Sequence, residues 1–377
     1  MSSRPRTSVR AEGPAVPGFS RAAPGLSTAG VLLQPRNDFE HDIQETHNVN
    51  QLPLQRKFLA LPLALLVSLA VAAGAQNAGT TSSGVCAACI RSNLEYLAGP
   101  ALHGRGSGTI DEYHAAKYIA GRLKQYGLAP AAGNGEYIQA ATIESPTAPP
   151  ADATPRQVSR TWNVLAKIAG KNADQIIMLS AHLDHLGVKD GKTYPGADDD
   201  ASGTVAVMEL ARALAKAPRP QRTIVFALWG SEEAGLVGAR YFLKHPTFEL
   251  KSIVANLEFE MIARPDPKVQ PDQLWLTGWD RTDLGPALAE HGAQLVGDPH
   301  PEQRFFTRSD NYALAKDGII AQTVSSYGLH KDYHQPTDTL DKVDWQHLDS
   351  AIGSMIAPVS WLANSEFMPK WNERQKP

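Results

Sequence analysis

A three-layer α/β fold with a mostly parallel central sheet is predicted by two features of this 377-residue chain. Short apolar runs of strand character alternate with segments of helical periodicity, the pattern of a sheet covered on both faces. Acidic residues and histidines gather just after three of those runs, where open α/β sheets place their sites. The composition agrees, since 42% hydrophobic and 20% charged residues describe a globular chain and not a disordered one.

The elements follow in order. Thr109 and Glu112 form a capping-box pattern that opens a helix; Ala116, Ile119, Leu123 and Tyr126 share its apolar face, and Gly127 stops it. Residues 144–157 are rich in Pro, Ala and Thr and read as a loop. Gln175–Ala181 is a buried strand. Val207, Leu210, Ala211 and Leu214 mark a helix by their i, i+3, i+4, i+7 spacing. Arg222–Trp229, Ser252–Phe259 and Gly318–Val324 are three further buried strands, with a helix over Ala234–Leu243 between the first two. Leu348, Ile352, Met355, Ile356 and Val359 line a C-terminal helix.

The first 75 residues read as lying outside this fold. Residues 1–50 show no sustained period and are expected to be unstructured or an upstream segment preceding the true start. Residues 51–75 carry Arg56 and Lys57, a 16-residue apolar run and an Ala73-Gly-Ala75 cleavage pattern, the layout of a signal peptide. A start near Val49 or Leu52 would give such a leader its ordinary length. The run is short for a membrane span, so no stable span is expected in the mature form, which is exported to a periplasmic or extracellular location after cleavage near Ala75. Residues 76–89 read as a short linker, 90–365 as the catalytic domain and 366–377 as a polar tail. Cys86 and Cys89 can close a small disulfide in an oxidising compartment. The formal charge of −3 leaves no basic excess for nucleic acid. The sequence does not indicate an oligomeric state.

Two cysteines exclude a zinc site of four thiolates, so any metal must be held by His, Asp and Glu. His182 and Asp184 follow the first strand, and Asp198, Asp199 and Asp200 precede the next helix. Glu232 and Glu233 follow the second strand, Glu260 the third, and Tyr333 and His334 come later. Carboxylates converging at strand ends repel one another unless a cation holds them. Two imidazoles and several carboxylates suit zinc, with manganese or cobalt possible. A two-metal site with one bridging Asp uses five ligands, and one further carboxylate must take the proton of the attacking water.

Together these motifs closely resemble the M28 family of zinc metallopeptidases, over roughly residues 90–362. The resemblance implies a zinc-exopeptidase (phosphorylase/hydrolase-like) sheet and two Zn²⁺ per chain. It assigns metal ligation to His182, Asp199, Glu233, Glu260 and His334, with Asp199 bridging. It makes Glu232 the general base, Asp184 the group that orients the His182 imidazole, and Tyr333 a donor to the oxyanion. The substrate it implies is a peptide with a free N-terminus. Glu260 stands where the family usually has Asp, and Asp200 where Asn is common. Arg308-Ser-Asp310 resembles a recurrent segment of the family, placed to support the His334 loop. No protease-associated domain fits between Gln139 and Asn163.

His185, Asp198, Glu258 and His330 lie near these motifs and are expected behind the ligands or at the surface. Trp275, Trp279, Phe305, Phe306 and Tyr327 are candidate pocket walls. The leading function is an aminopeptidase. Its alternatives are a carboxypeptidase or dipeptidase of the same family, a glutaminyl cyclase-like acyltransferase using one zinc, and a catalytically dead binding protein, which should have lost Glu232 or a ligand and has lost neither.

Overall fold

The computed structural model describes residues 84–142 and 159–377. The proposed leader and the 144–157 loop lie outside the described residues. The elements are α1 (Ala87–Leu97), α2 (Ile110–Gln125), β1 (Ala129–Pro130), β2 (Ile138–Thr142), β3 (Arg160–Ile168), β4 (Asn172–His182), β5 (Gly187–Lys189), β6 (Lys192–Tyr194) and α3 (Ala201–Leu214). They continue with β7 (Arg222–Trp229), α4 (Val237–Lys244), β8 (Ile253–Phe259), β9 (Leu274–Leu276), α5 (Leu284–Glu290), β10 (Leu295–Gly297), α6 (Asp310–Lys316), β11 (Ala321–Ser325) and α7 (Trp345–Asn364).

The main sheet runs β1-β3-β7-β4-β8-β11-β9-β10, with β2 also on β3. Its centre, β7-β4-β8-β11, is parallel. The joins outward, β3 to β7 and β11 to β9, are antiparallel. Alternation along the central strands explains the three layers. Ile177, Leu179 and Ala181 of β4 enter one core beside residues of α1, α2, α3 and α7, while Ile176 and Met178 enter the other beside α4 and α6. After β4 the chain crosses to β7 on one side, then returns to β8 on the other. The strand order therefore reverses at β4, and the crevice beyond its carboxyl end is the expected ligand position. His182 is the last residue of that strand.

α3 is buried along nearly its whole length because it lies between the sheet and the outer helices. Its first turn is pressed against the sheet. A Cβ built on Gly203 would meet the Phe259 carbonyl oxygen only 2.1 Å away, so nothing larger than glycine fits without moving backbone.

The domain extends beyond the 90–365 limits read from sequence. α1 begins at Ala87, inside the expected linker; Cys86 and Cys89 are disulfide-bonded, and Glu209 of α3 accepts from the Cys86 N–H at 2.6 Å. At the other end Phe367 and Trp371 pack on the cores, and the Trp371 indole donates to the Gly318 carbonyl. Apolar anchors thus tie down the start of the polar tail. Among the described residues no helix is long and apolar enough to cross a membrane.

Candidate metal centre

The ends of β4, β7 and β8 and the N-terminus of α3 bring the acidic motifs together. The His182 N–H donates to Asp200 Oδ2 at 3.2 Å, and its carbonyl accepts from Thr204 Oγ1 at 2.7 Å, so backbone contacts place this residue. Its Nε2 lies 3.3 Å from Asp199 Oδ1. The other oxygen of Asp199 is 3.1 Å from His334 Nε2 and 3.8 Å from His185 Nδ1. Glu233 Oε1 is 3.2 Å from His334 Nε2 and 2.8 Å from His185 Nδ1. Two groups of donors can each converge on one point, with atoms within 4.8 Å of one another: His182, Asp199 and Glu260, and His185, Asp199 and Glu233. Asp199 belongs to both.

His182, Asp199, Glu233, Glu260 and His334, five of the residues singled out from sequence, thus come together at this crevice. His185 was missed as a member. It is fully buried and reaches both carboxylates of the second group, beside His334. The signal was present, because His182 and His185 lie three apart where the chain leaves β4. Asp198, Glu258 and His330 are also buried and none is at the surface.

Asp184 differs from its expected part. Its carboxylate is 3.8 Å from His182 Nδ1, which instead faces the Asp184 carbonyl at 3.2 Å. The carboxylate oxygens accept from Ser107 Oγ at 2.7 Å and from the Glu232 N–H at 2.9 Å. Asp184 thus positions the Glu232 turn as well as flanking the imidazole. Glu112 holds the same turn from behind. It accepts from Ser231 Oγ at 2.9 Å, Thr161 Oγ1 at 2.7 Å and the Trp162 N–H at 3.2 Å, and from the Gly108 N–H. Burial, aided by Asp184, pushes Glu112 up to about 8.

Asp200 is not solvated. It caps α3 through the Gly203 N–H at 3.0 Å and also accepts from the Met261 N–H at 3.1 Å, joining the β4, α3 and β8 ends. A second network secures the loop bearing His334. Arg264 pairs with Asp332 at 2.8 Å and Asp338 at 2.9 Å, and His330 with Asp198 at 3.0 Å. Asp338 accepts from the Asp198 and Asp199 N–H groups at 3.0 and 3.1 Å.

Burial opposes charge on the His182 imidazole, but Glu232, Asp200 and Asp199 outweigh it and hold its pKa well above the ordinary value. His334 rises to about 10: burial again opposes charge, and Glu233 and Asp199 prevail. Burial raises Glu232 well above the usual carboxylate range, helped by Asp310, Glu233 and Glu260. The acidic crevice thus favours positive charge on His182 and His334, a demand that a bound divalent cation can meet instead. The donor set fits such a cation. His182 Nε2, both His185 nitrogens, Asp199 Oδ2 and Glu233 Oε1 are buried and, although several lie close together, make no hydrogen bond of proper geometry among the described residues.

The profile of peptidase family M28 matches residues 163–359, more than half of the chain. The chain belongs to this family. It is 31% identical over 218 residues to "Probable lipoprotein aminopeptidase LpqL" of Mycobacterium tuberculosis, covering 50% of this chain and 43% of that protein. It is 41% identical over 112 residues to an aminopeptidase of Pseudomonas aeruginosa, covering 29% of this chain and 20% of the other. The matches thus span less than half the length of these curated relatives. The fold is that of a zinc aminopeptidase from Bacillus subtilis, with a TM-score of 0.56 at 18% identity over 74% of this chain and 95% of that one. It is equally that of a Porphyromonas gingivalis glutaminyl cyclase, with a TM-score of 0.56 at 17% identity over 74% and 99%.

Beside Glu260 and Tyr333 a small, partly open pocket lies, walled by Trp275 and Phe305. Trp279, Phe306 and Tyr327, also candidates from sequence, do not line it.

Proposed function

We propose that this M28 member is an exported two-zinc exopeptidase that removes residues from the free N-terminus of peptides. The carrying observation is the pair of donor groups sharing Asp199, with Glu232 held beside them. His182, Asp199 and Glu260 would hold one ion, and Asp199, Glu233 and His334, with His185 beside them, the second. A zinc ion held by these residues would supply Lewis acidity to the scissile carbonyl and to the attacking water. Glu232 takes that water's proton and passes it to the leaving amine. Positive charge at the donor groups favours its carboxylate form, against the burial that raises it. Burial, with Asp199 and Glu233, holds the Tyr333 phenol well above its ordinary pKa, so it keeps its proton and can donate to the developing oxyanion.

Likeness of fold does not separate hydrolase from cyclase, because both neighbours match equally well. The two donor groups favour hydrolysis, since a one-zinc site leaves His182 without a partner ion. The test is metal analysis of the purified protein alongside aminoacyl and carboxyl-blocked chromogenic substrates. The expected result is about two zinc equivalents per chain and release of N-terminal residues that a chelator abolishes. One equivalent, with cyclisation of N-terminal glutamine and no residue released, overturns the reading. Export is checked by N-terminal sequencing of the secreted protein, expected to begin at or near Gln76.

A further inference from the structure

The pocket beside Glu260 has a floor unlike that of an aliphatic site. Strand alternation sends Leu274 and Leu276 of β9 and Val324 of β11 into the core on one face of the sheet. The opposite face shows Trp275 and Thr277 from that stretch and Thr323 and Ser325 from β11, and all four line the pocket. Thr277 Oγ1 is already engaged, accepting from the Thr323 N–H at 2.9 Å. Trp275 Nε1 and Thr323 Oγ1 are buried and have no hydrogen-bond partner among the described residues. An indole N–H can only donate, so the group that satisfies it must be an acceptor.

The charge at the pocket points the same way. Arg308 lies over the Phe305 ring at 5.2 Å and the Tyr333 ring at 5.9 Å, with Nη2 3.5 Å from the Tyr333 oxygen. It makes no ion pair within 4 Å among the described residues, although its charge reaches Glu260 across the pocket. The other charged lining residue, Glu260, belongs to a donor group. Glu258, the cross-strand neighbour of Thr323, is occupied by Ser309 Oγ at 3.2 Å and the Asn311 N–H.

We propose that this pocket receives the side chain of the substrate's N-terminal residue and selects one ending in oxygen acceptors, glutamate first and glutamine second, over leucine and lysine. The inference rests on the aminopeptidase reading above. The carboxylate meets the Arg308 guanidinium, with the Trp275 indole and the Thr323 hydroxyl as further donors. Leucine leaves all three unpaired, and lysine sets two cations against each other.

The test compares kcat/KM for the p-nitroanilides of Glu, Gln, Leu and Lys, and measures binding of free glutamate and free leucine by calorimetry. The expected order is Glu, Gln, Leu, Lys, with Glu about tenfold or more above Leu and glutamate binding tighter than leucine. Arg308→Met is expected to lower the Glu/Leu ratio of kcat/KM by about tenfold and bring Glu below Gln, a ratio in which any loss common to all substrates through Tyr333 cancels, and Arg308→Lys to restore part of the Glu preference. Thr323→Val is expected to lower Glu and Gln together and leave Leu unchanged, and it carries the test if Arg308→Met fails to fold. Leucine as best substrate and tighter ligand, with the variants lowering all four substrates equally, overturns the pocket assignment and leaves the aminopeptidase reading standing. Failure to release a residue from any of the four, in zinc-loaded protein, overturns the aminopeptidase reading instead.

Discussion

The two donor groups share one carboxylate but are built differently. His182, Asp199 and Glu260 sit at the end of β4, just before α3 and just after β8, and the bonds of Asp200 lock those three ends together. In the second group Glu233 comes from a turn and His185 is buried, while the neighbouring His334 comes from a loop and has 36% of its side chain exposed against 1% for His182. Sheet pairing positions the first group at no added cost. The second depends on side chains: Glu112 behind the Glu232 turn, and Arg264 with three aspartates behind the His334 loop. Buried ion pairs of this kind contribute little to net stability, so their evident role here is to fix the position of a loop.

The contrast can be broken at its common point. Asp199→Ala removes the carboxylate both groups use and is expected to abolish metal binding at both, lowering kcat/KM by more than about 10³-fold. Retention of one tightly bound equivalent in metal analysis would show that the groups are independent. Glu232→Gln touches neither group. It should lower kcat by about 10²–10⁴-fold with metal content and fold unchanged, as read by steady-state kinetics and atomic absorption. A variant keeping more than about a tenth of wild-type kcat would place the base elsewhere.

Arg264→Met separates the two groups most directly. Because Asp338 also holds the Asp199 backbone, the substitution should weaken both ions but the loop-borne one more, by about 10–100-fold, under chelator titration. Equal weakening of both would make the network a general brace. The smallest effect is expected from Glu112→Gln. Because Glu112 is raised to about 8, the folded state holds its proton more tightly than the unfolded chain. Its stabilising contribution is complete below the unfolded pKa, near 4.5, and is lost as pH rises through about 8. Gln has no proton to lose, so the variant should gain on wild type between pH 5 and 9, on the order of 5 kcal/mol at most, read from denaturant midpoints. A gap that does not change with pH would mean that Glu112 is ionised throughout.

Much of this was legible in the sequence because it is local. The central strands are long apolar runs; His182, the Glu232–Glu233 pair and Glu260 each stand at or within a few residues of the end of one, and Asp198–Asp200 directly precede a helix of clear period. The antiparallel additions were not legible. β9 and β10 have three residues each, too few for a period, and β3 mixes Arg160, Asn163 and Lys167 with its apolar positions. Glu112 shows how tertiary structure overrides a local pattern. The capping box sends its side chain back to the Thr109 N–H, and the structure does place Thr109 Oγ1 against the Glu112 N–H. The Glu112 carboxylate goes instead to Gly108, β3 and Ser231, because a buried acid takes the donors that surround it. The polar floor of the pocket was invisible for a different reason: it depends on which face of β11 meets β9, a matter of register between strands about 47 residues apart.

Gly203 carries a consequence for how members of this family are compared. It ligates nothing, yet α3 lies against the Phe259 carbonyl through it, so it acts as the spacer between Asp199 and Glu260. The separation of two ligands is in this sense encoded by an absent methyl group. A chain could keep every ligand, replace this glycine with alanine and lose the centre by dilation. A search for working relatives that scores ligands alone would accept such a chain as intact.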